Sequence, residues 1–356
     1  MSKPVRILIV GTGGMANSHA QAYKKIPGVE LVGGVDVRAE QLATFAEKHG
    51  IPHTFASVEE AIAWGQFDAV SNVTPDRFHC STTLPLLAAG KHVLCEKPLA
   101  THAADALKMV EAAAKAGVVN AVNLTYRGIA AMQKAAELVR AGAIGEVRFF
   151  EASYLQSWLH QPAWGEWSTS PEWLWRLSTA HGSKGALGDI GVHIVDFATY
   201  VAGLGVTDVS CRFAVYDKAP PENKIGEYTL DTNDSVTMQL SLANGALGTI
   251  SQTRVASGHH NDLRLALYGT KGGLEVFSQK PDTLRVCLGA DALKKAEWQT
   301  VECPAVTTNY ARFIAAVRGE AGPRGPDFAR GAEVQTVLDA AEESAKQRGL
   351  TVEIDD

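Results

Sequence analysis

Short apolar runs alternate with amphipathic stretches through the first third of the chain. Val5–Val10 is mostly apolar, rich in β-branched residues and stopped by a glycine, the pattern of a strand buried on both faces. Similar runs follow at Val29–Val35, Phe67–Val73, His92–Cys95 and Val118–Val122. Helical segments are expected between them, at 14–25, Ser81–Ala89 and Ala103–Ala116. Strands alternating with helices predict parallel pairing and right-handed crossovers, a doubly wound α/β sheet. Further along, the period changes to two. Val236–Leu242 alternates apolar and polar, as a half-buried antiparallel strand does, and Asn244-Gly245 is a strong hairpin signal. Strand-like segments continue at Thr249–Val255 and Leu263–Tyr268, and two helices, near Tyr310–Arg318 and Glu333–Lys346, are expected to close the chain. The change of pattern places a boundary near Leu124–Arg127, giving a domain of residues 1–125 and a second of 126–356.

The first strand runs into Gly11-Thr12-Gly13-Gly14-Met15-Ala16. Gly11, Gly13 and Ala16 make the G-x-G-x-x-A form of the dinucleotide fingerprint. Gly11 permits the tight turn, Gly13 admits a pyrophosphate close to the backbone, and Ala16 allows helix and strand to touch. The helix N-terminus then offers free N–H groups to the phosphates. Asp36 ends the second strand, where a carboxylate accepts from both hydroxyls of the adenosine ribose and repels a 2′-phosphate. This favours NAD over NADP. Arg38 pulls the other way if it pairs with that phosphate, and is neutral if it only lies over the adenine or is a solvated loop arginine.

Composition narrows the classes. The chain has 356 residues, 46% hydrophobic and 20% charged, with a formal net charge of -6. That length suits two domains, and without a concentrated basic face no nucleic-acid partner is expected. Five scattered cysteines form no CxxC pair, so reduced thiols in a cytoplasmic protein are expected rather than a disulfide framework or a zinc site. No apolar run reaches the roughly 20 residues that span a bilayer, so no membrane partner is expected.

Four motifs in order resemble the Gfo/Idh/MocA oxidoreductases, the glucose–fructose oxidoreductase and inositol dehydrogenase family. They are Gly11–Ala16, then Val73-Thr74-Pro75-Asp76 with His79, then Glu96-Lys97-Pro98, and Gly188-Asp189-Ile190-Gly191-Val192-His193 with Asp196. Leu267-Tyr268-Gly269-Thr270-Lys271-Gly272-Gly273 is also similar, so the resemblance covers nearly the whole chain. It implies a second α+β domain built on a large open, mostly antiparallel sheet, and an NAD(P)-dependent oxidoreductase of a sugar, anhydrosugar or cyclic polyol. Two alternatives share the scaffold: glycosidases that use NAD transiently, and non-catalytic NAD-binding regulators.

Hydride transfer leaves the protein one proton to move and one oxygen to stabilise. Lys97 follows the strand His92–Cys95, at the carboxyl end of a parallel sheet, where its ammonium can stabilise a developing alkoxide. His193 is the natural general base, and Asp189, four residues earlier, is expected on the same helical face, orienting the imidazole or binding a substrate hydroxyl. Asp196 is placed to steady His193 from behind. A metal is not expected, because the Asp/His pair has no clear third ligand beyond His181. Thr74 and Pro75 are expected to line the nicotinamide side of the cleft, with His79 anchoring that loop. Glu96 fixes the lysine, contacts the nicotinamide ribose, or serves a structural pairing.

The stretch Tyr154–Arg176 holds Trp158, Trp164, Trp167, Trp173 and Trp175, with Gln156, His160, Glu166 and Arg176 interspersed. Aromatic faces with amides and charges between them suit a sugar ring. The resemblance implies that Trp175-Arg176 lies near the cofactor cleft and that Tyr154-Leu155-Gln156-Ser157-Trp158 resembles members handling pyranosides and anhydrosugars. The substrate residues expected are Lys97, Tyr126, Gln156, Trp158, Trp175, Arg176, Asp189 and His193. Lys184 either reaches an acidic substrate or is solvated. A broad exposed sheet face predicts a homodimer or homotetramer.

Overall fold

The computed structural model describes residues 3–162 and 164–354. The chain divides into two units. The first runs through Thr125 and takes in Thr307–Gln335; the second comprises Tyr126–Val306 and the residues from Thr336 on. The sequence pattern alone places residues 126–356 in one domain. Thr307–Gln335 packs with the first unit, because Phe313 and Ile314 are buried in one core with Ile7, Ile9 and Tyr23.

In the first unit, strands β1 (Val5–Val10), β2 (Val29–Val35), β3 (His53–Phe55), β4 (Ala69–Asn72), β5 (His92–Cys95) and β6 (Asn120–Val122) form one sheet. Their order is β3-β2-β1-β4-β5-β6, and every pair is parallel. Helices α1 (Gly14–Lys24), α2 (Ala39–His49), α3 (Val58–Trp64), α4 (His79–Ala88) and α5 (Ala103–Ala116) make the crossovers. The order reverses between β1 and β4, the switch point where such sheets bind ligands beyond the strands' carboxyl ends. Gly11 follows β1, Asp36 follows β2, Val73 follows β4 and Glu96 follows β5, so the sequence-selected groups gather along that one edge. Gly11 has φ +83°, and a Cβ on it would stand 2.6 Å from the Val73 carbonyl oxygen, so only glycine fits there.

The second unit is a nine-stranded sheet backed by helices. Its strands are β7 (Val147–Leu155), β8 (Val206–Ala214), β11 (Ser235–Leu242), β12 (Leu247–Thr253), β13 (Asp262–Gly269), β14 (Gly272–Phe277), β15 (Thr283–Leu288), β16 (Gln299–Glu302) and β17 (Val352–Glu353); a small hairpin, β9 (Lys224–Ile225) with β10 (Tyr228–Thr229), stands apart. The order is β16-β15-β14-β13-β7-β12-β11-β8-β17, antiparallel except where β12 runs parallel to β7. Val236, Met238, Leu240 and Leu242 are buried and their neighbours are not, as the alternation requires. Asn244-Gly245 turns β11 into β12, with Gly245 at φ +79°. Helices α6 (Ala130–Arg140) and α8 (Val192–Ala202) cover one face. Short α7 (Pro171–Leu174) and α9 (Ala290–Lys295), then α10 (Asn309–Val317) and α11 (Phe328–Lys346), complete the chain.

Two buried polar clusters hold the loops at the first sheet's edge. The His79 ring is buried, with Nδ1 2.7 Å from the Pro98 carbonyl oxygen and Nε2 2.8 Å from that of Thr74. Carbonyl oxygens only accept, so both ring nitrogens must carry protons and the ring is an imidazolium. Burial works against that charge, but the neighbouring Cys95 and Asp76 and the Pro98 carbonyl outweigh it and raise the pKa from 6.5 to about 10. His79 thus staples the loop after β4 to the turn that carries Lys97. Its contribution to stability is full below about pH 6.5 and is lost as pH rises through about 10. Replacing His79 by glutamine, which cannot follow this titration, is expected to flatten that fall. Urea unfolding at successive pH values checks it: the wild type should show up to about 1.4 kcal/mol more loss per pH unit than the variant above neutrality.

Candidate active site

Lys97 owes its place to Glu96. The Glu96 carboxylate is buried, yet both oxygens are used: Oε1 accepts from His19 Nε2 at 2.7 Å and from Asn123 Nδ2 at 2.6 Å, and Oε2 accepts the Lys97 backbone N–H at 3.1 Å. His19 is seated on α1 one turn past the glycine loop, and its Nδ1 meets the Ser71 hydroxyl at 2.7 Å. The Tyr310 hydroxyl accepts from the Asn123 amide at 3.0 Å, and its ring packs edge-on against His19. Burial pushes the Glu96 carboxyl up, but the His19 and Asn123 hydrogen bonds and the nearby Lys97 charge hold it down at about 2. A buried anion therefore holds the backbone of a partly exposed lysine. Of the roles open for Glu96, the structure shows the pairing that fixes the Lys97 backbone, and His19 is a member of it that the motifs do not mark.

The same edge offers the other dinucleotide groups. Asp36 accepts from the Thr12 backbone N–H at 2.9 Å and its hydroxyl at 2.8 Å, and from the Arg38 N–H at 2.9 Å. Burial acts to raise its pKa, but these hydrogen bonds prevail and lower it, keeping the carboxylate ionised. The Arg38 guanidinium reaches the same carboxylate at 3.3 Å and is largely exposed. A Cβ on Gly13 would meet nothing closer than the Gln41 amide at 3.9 Å, so the backbone there is open to a pyrophosphate. Ala16 is fully buried, as helix–strand contact demands. Gly14 and Met15 begin α1, Met15 exposed, and Thr74 is bonded through its hydroxyl to Asn72. These residues fit a dinucleotide.

In the second unit, residues Leu187–Gly191 form a π-helical turn that leads into α8, so Asp189 and His193 lie across a wider turn than an α-helix would give. Asp189 Oδ1 accepts from Arg176 at 3.0 Å, and Oδ2 accepts from Arg254 at 3.0 Å. His193 is buried, with the Tyr126 ring edge-on at 4.9 Å and the Tyr154 ring at 6.3 Å. Tyr126 Oη donates to Tyr154 Oη at 2.7 Å, Tyr154 donates to Asn261 Oδ1 at 2.9 Å, and Gln156 donates to the same oxygen at 2.7 Å. Trp158 donates to Gln156 at 3.1 Å. Burial raises the pKa of both tyrosines, so they stay protonated and act as donors.

The structure separates the remaining sequence candidates. Gln156 and Trp158 are buried, and Trp158 belongs to a small core with Leu159, Leu174, Leu177 and Leu230, against which Trp167 and Trp173 pack. Trp164 stacks on Trp173 at 6.0 Å. Trp175 is half-buried, with the Arg176 guanidinium 4.9 Å from its ring. Asp196 makes a two-point ion pair with Arg127, 2.7 Å at each contact. Lys184 is bound to Glu342 at 2.7 Å. Arg254 was overlooked. Its signal lay in parity, because Gly248, Ile250, Gln252 and Arg254 occupy the inward positions of one strand and its extension, and two of those four are polar.

Both units match one family. Residues 5–124 match the model described as the oxidoreductase family, NAD-binding Rossmann fold, and residues 132–275 match the GFO/IDH/MocA C-terminal domain. Levoglucosan dehydrogenase of Pseudarthrobacter phenanthrenivorans is 28% identical, with 95% of each chain covered. D-Glucoside 3-dehydrogenase of Escherichia coli is 31% identical over 69% of each chain. A solved levoglucosan dehydrogenase in complex with NADH and levoglucosan is 26% identical, with a TM-score of 0.85 over 99% of this chain and 100% of that one. The chain accordingly belongs to the Gfo/Idh/MocA oxidoreductases, and is an NAD(P)-dependent dehydrogenase of sugar or polyol CH–OH groups.

Proposed function

We propose that the protein oxidises one hydroxyl-bearing ring carbon of a neutral pyranose-sized sugar or anhydrosugar, with NAD rather than NADP. The nicotinamide, when bound, supplies the hydride acceptor. Lys97 stabilises the charge that develops on the substrate oxygen, and His193 takes its proton. Arg176, set against Trp175 and tied to Asp189, and Tyr126 bind the neighbouring hydroxyls and the ring face. Gln156 and Trp158 act from beneath, by fixing Tyr154 and hence Tyr126. The observation that carries this reading is the Glu96 carboxylate, buried and ionised, gripping the Lys97 backbone at the carboxyl edge of a dinucleotide-type sheet.

Asp36 supports NAD. It stays ionised, and a 2′-phosphate beside it meets like-charge repulsion. Buried or partly buried free cysteines fit a reducing cytoplasm, and no helix among the described residues is long and apolar enough to cross a membrane. The sheet face opposite the helices exposes Phe149 and Leu247, which supports a homodimer or homotetramer joined there.

A panel of inositols, aldoses, glycosides and anhydrosugars, each with NAD and NADP, tests the reading by NADH formation; accumulation with none of them overturns it. Lys97→Ala is expected to lower kcat/KM about 100-fold or more while NADH still binds. An unchanged kcat/KM removes the lysine from the chemistry. Asp36→Ala is expected to raise the NADP-to-NAD ratio of kcat/KM by about 10-fold or more, and an unmoved ratio assigns discrimination elsewhere.

A further inference from the structure

Arg254 has no part in the reading above, yet it is the largest side chain that the structure buries completely. Its Nη2 donates to Asp189 Oδ2 at 3.0 Å, its Nη1 donates to the Arg176 carbonyl oxygen at 3.2 Å, and its guanidinium stands 5.1 Å from the Trp158 ring centre. Its Nε finds no hydrogen-bond partner among the described residues. A buried cation with an unsatisfied N–H is poor design for stability alone, since apolar replacement of buried charge is often neutral or favourable. Asp189 takes a second guanidinium, that of Arg176, on its other oxygen. Two cations thus share one carboxylate, one wholly buried and the other reaching the surface.

We propose that Arg254 is a positioning residue: it holds Asp189 ionised and in one orientation, so that Asp189 presents the Arg176 fork to the sugar and does not itself exchange protons. This rests on the reading of Asp189, Arg176 and His193 as sugar-side residues. The other charged or titratable groups that face the pair do not replace Arg254. Asp234 is engaged by Lys218 at 2.6 Å, both buried, and Tyr126 and Tyr154 are neutral donors. Burial lowers the Arg254 pKa, but an arginine starts so high that the cation persists.

The test compares wild type, Arg254→Gln and Arg254→Lys by two readouts. The first is the 13C shift of the Asp189 carboxyl against pH, assigned with Asp189→Asn, which needs no turnover. Loss of the buried cation is expected to raise the Asp189 midpoint by about one pH unit or more. The second is steady-state kinetics. Arg254→Gln is expected to raise the sugar KM about 10-fold or more, and to move the acid limb of kcat/KM upward with the Asp189 midpoint, while NADH affinity stays put. Arg254→Lys keeps the charge but presents one ammonium in place of a fork, and should fall between. The proposal is overturned if the Asp189 midpoint is the same in wild type and variant. It is equally overturned if sugar KM and pH profile are unmoved in a variant that only melts earlier. Should Arg254→Gln not fold, Arg254→Lys decides by the same two readouts. If the wild type oxidises no sugar, the reading of the function falls, and the carboxyl titration still decides the clamp.

Discussion

The first unit depends on one buried carboxylate. Glu96 follows the last residue of β5, and its oxygens collect a histidine from α1, an asparagine that follows β6, and the backbone of Lys97. A buried charge is tolerable only when its acceptor sites are filled, and here they are. The hydrogen bonds win over desolvation, so the carboxylate stays ionised across the physiological range. The backbone bond from Lys97 to Glu96 fixes where the lysine side chain starts. His79 adds a second restraint from the loop after β4, through the carbonyl beyond Lys97. The helix that follows the glycine turn and the turn that carries Lys97 are thereby parts of one bonded assembly.

The second unit solves the matching problem with cations around an anion. Asp189 is held by Arg176 and Arg254, and the π-helical turn that carries it gives way to the α-helix of His193. The imidazole sits among tyrosines that donate in a fixed sequence, Tyr126 to Tyr154 to Asn261. Such a sequence leaves little freedom in where each proton points. In the proposed reading, these donors and acceptors are the partners of sugar hydroxyls, and the imidazole is the group that takes the proton.

Much of this was legible in the chain, and the reasons are physical. Parallel strands buried on both faces read as plain apolar runs, so β1 and β5 stood out. β3 is three residues with two exposed side chains, and gave no periodic signal. The Gly11 turn was legible because its backbone admits no side chain. Lys97, Asp189 and His193 were reachable from motif and spacing. Their supports were less so. His19 looks like any helical residue until the fold brings Glu96 to it, 77 positions later. Arg254 was visible only as a charge at inward strand parity. The tryptophan cluster is in part core: Gln156 and Trp158 are buried, and Trp158 packs with Leu159, Leu174, Leu177 and Leu230. The return of Thr307–Gln335 to the first unit leaves no local mark, since the apolar face of α10 is satisfied only by a core laid down some 300 residues earlier.

The central claim is that the Lys97 ammonium and the His193 imidazole serve one and the same substrate hydroxyl. A crystal structure of the enzyme with NADH and its best sugar measures this directly. The account predicts one sugar oxygen within about 3 Å of both Lys97 Nζ and a His193 ring nitrogen, its carbon within about 3.5 Å of the nicotinamide carbon that carries the hydride. Lysine and histidine bound to different hydroxyls, or facing separate cavities, would contradict it.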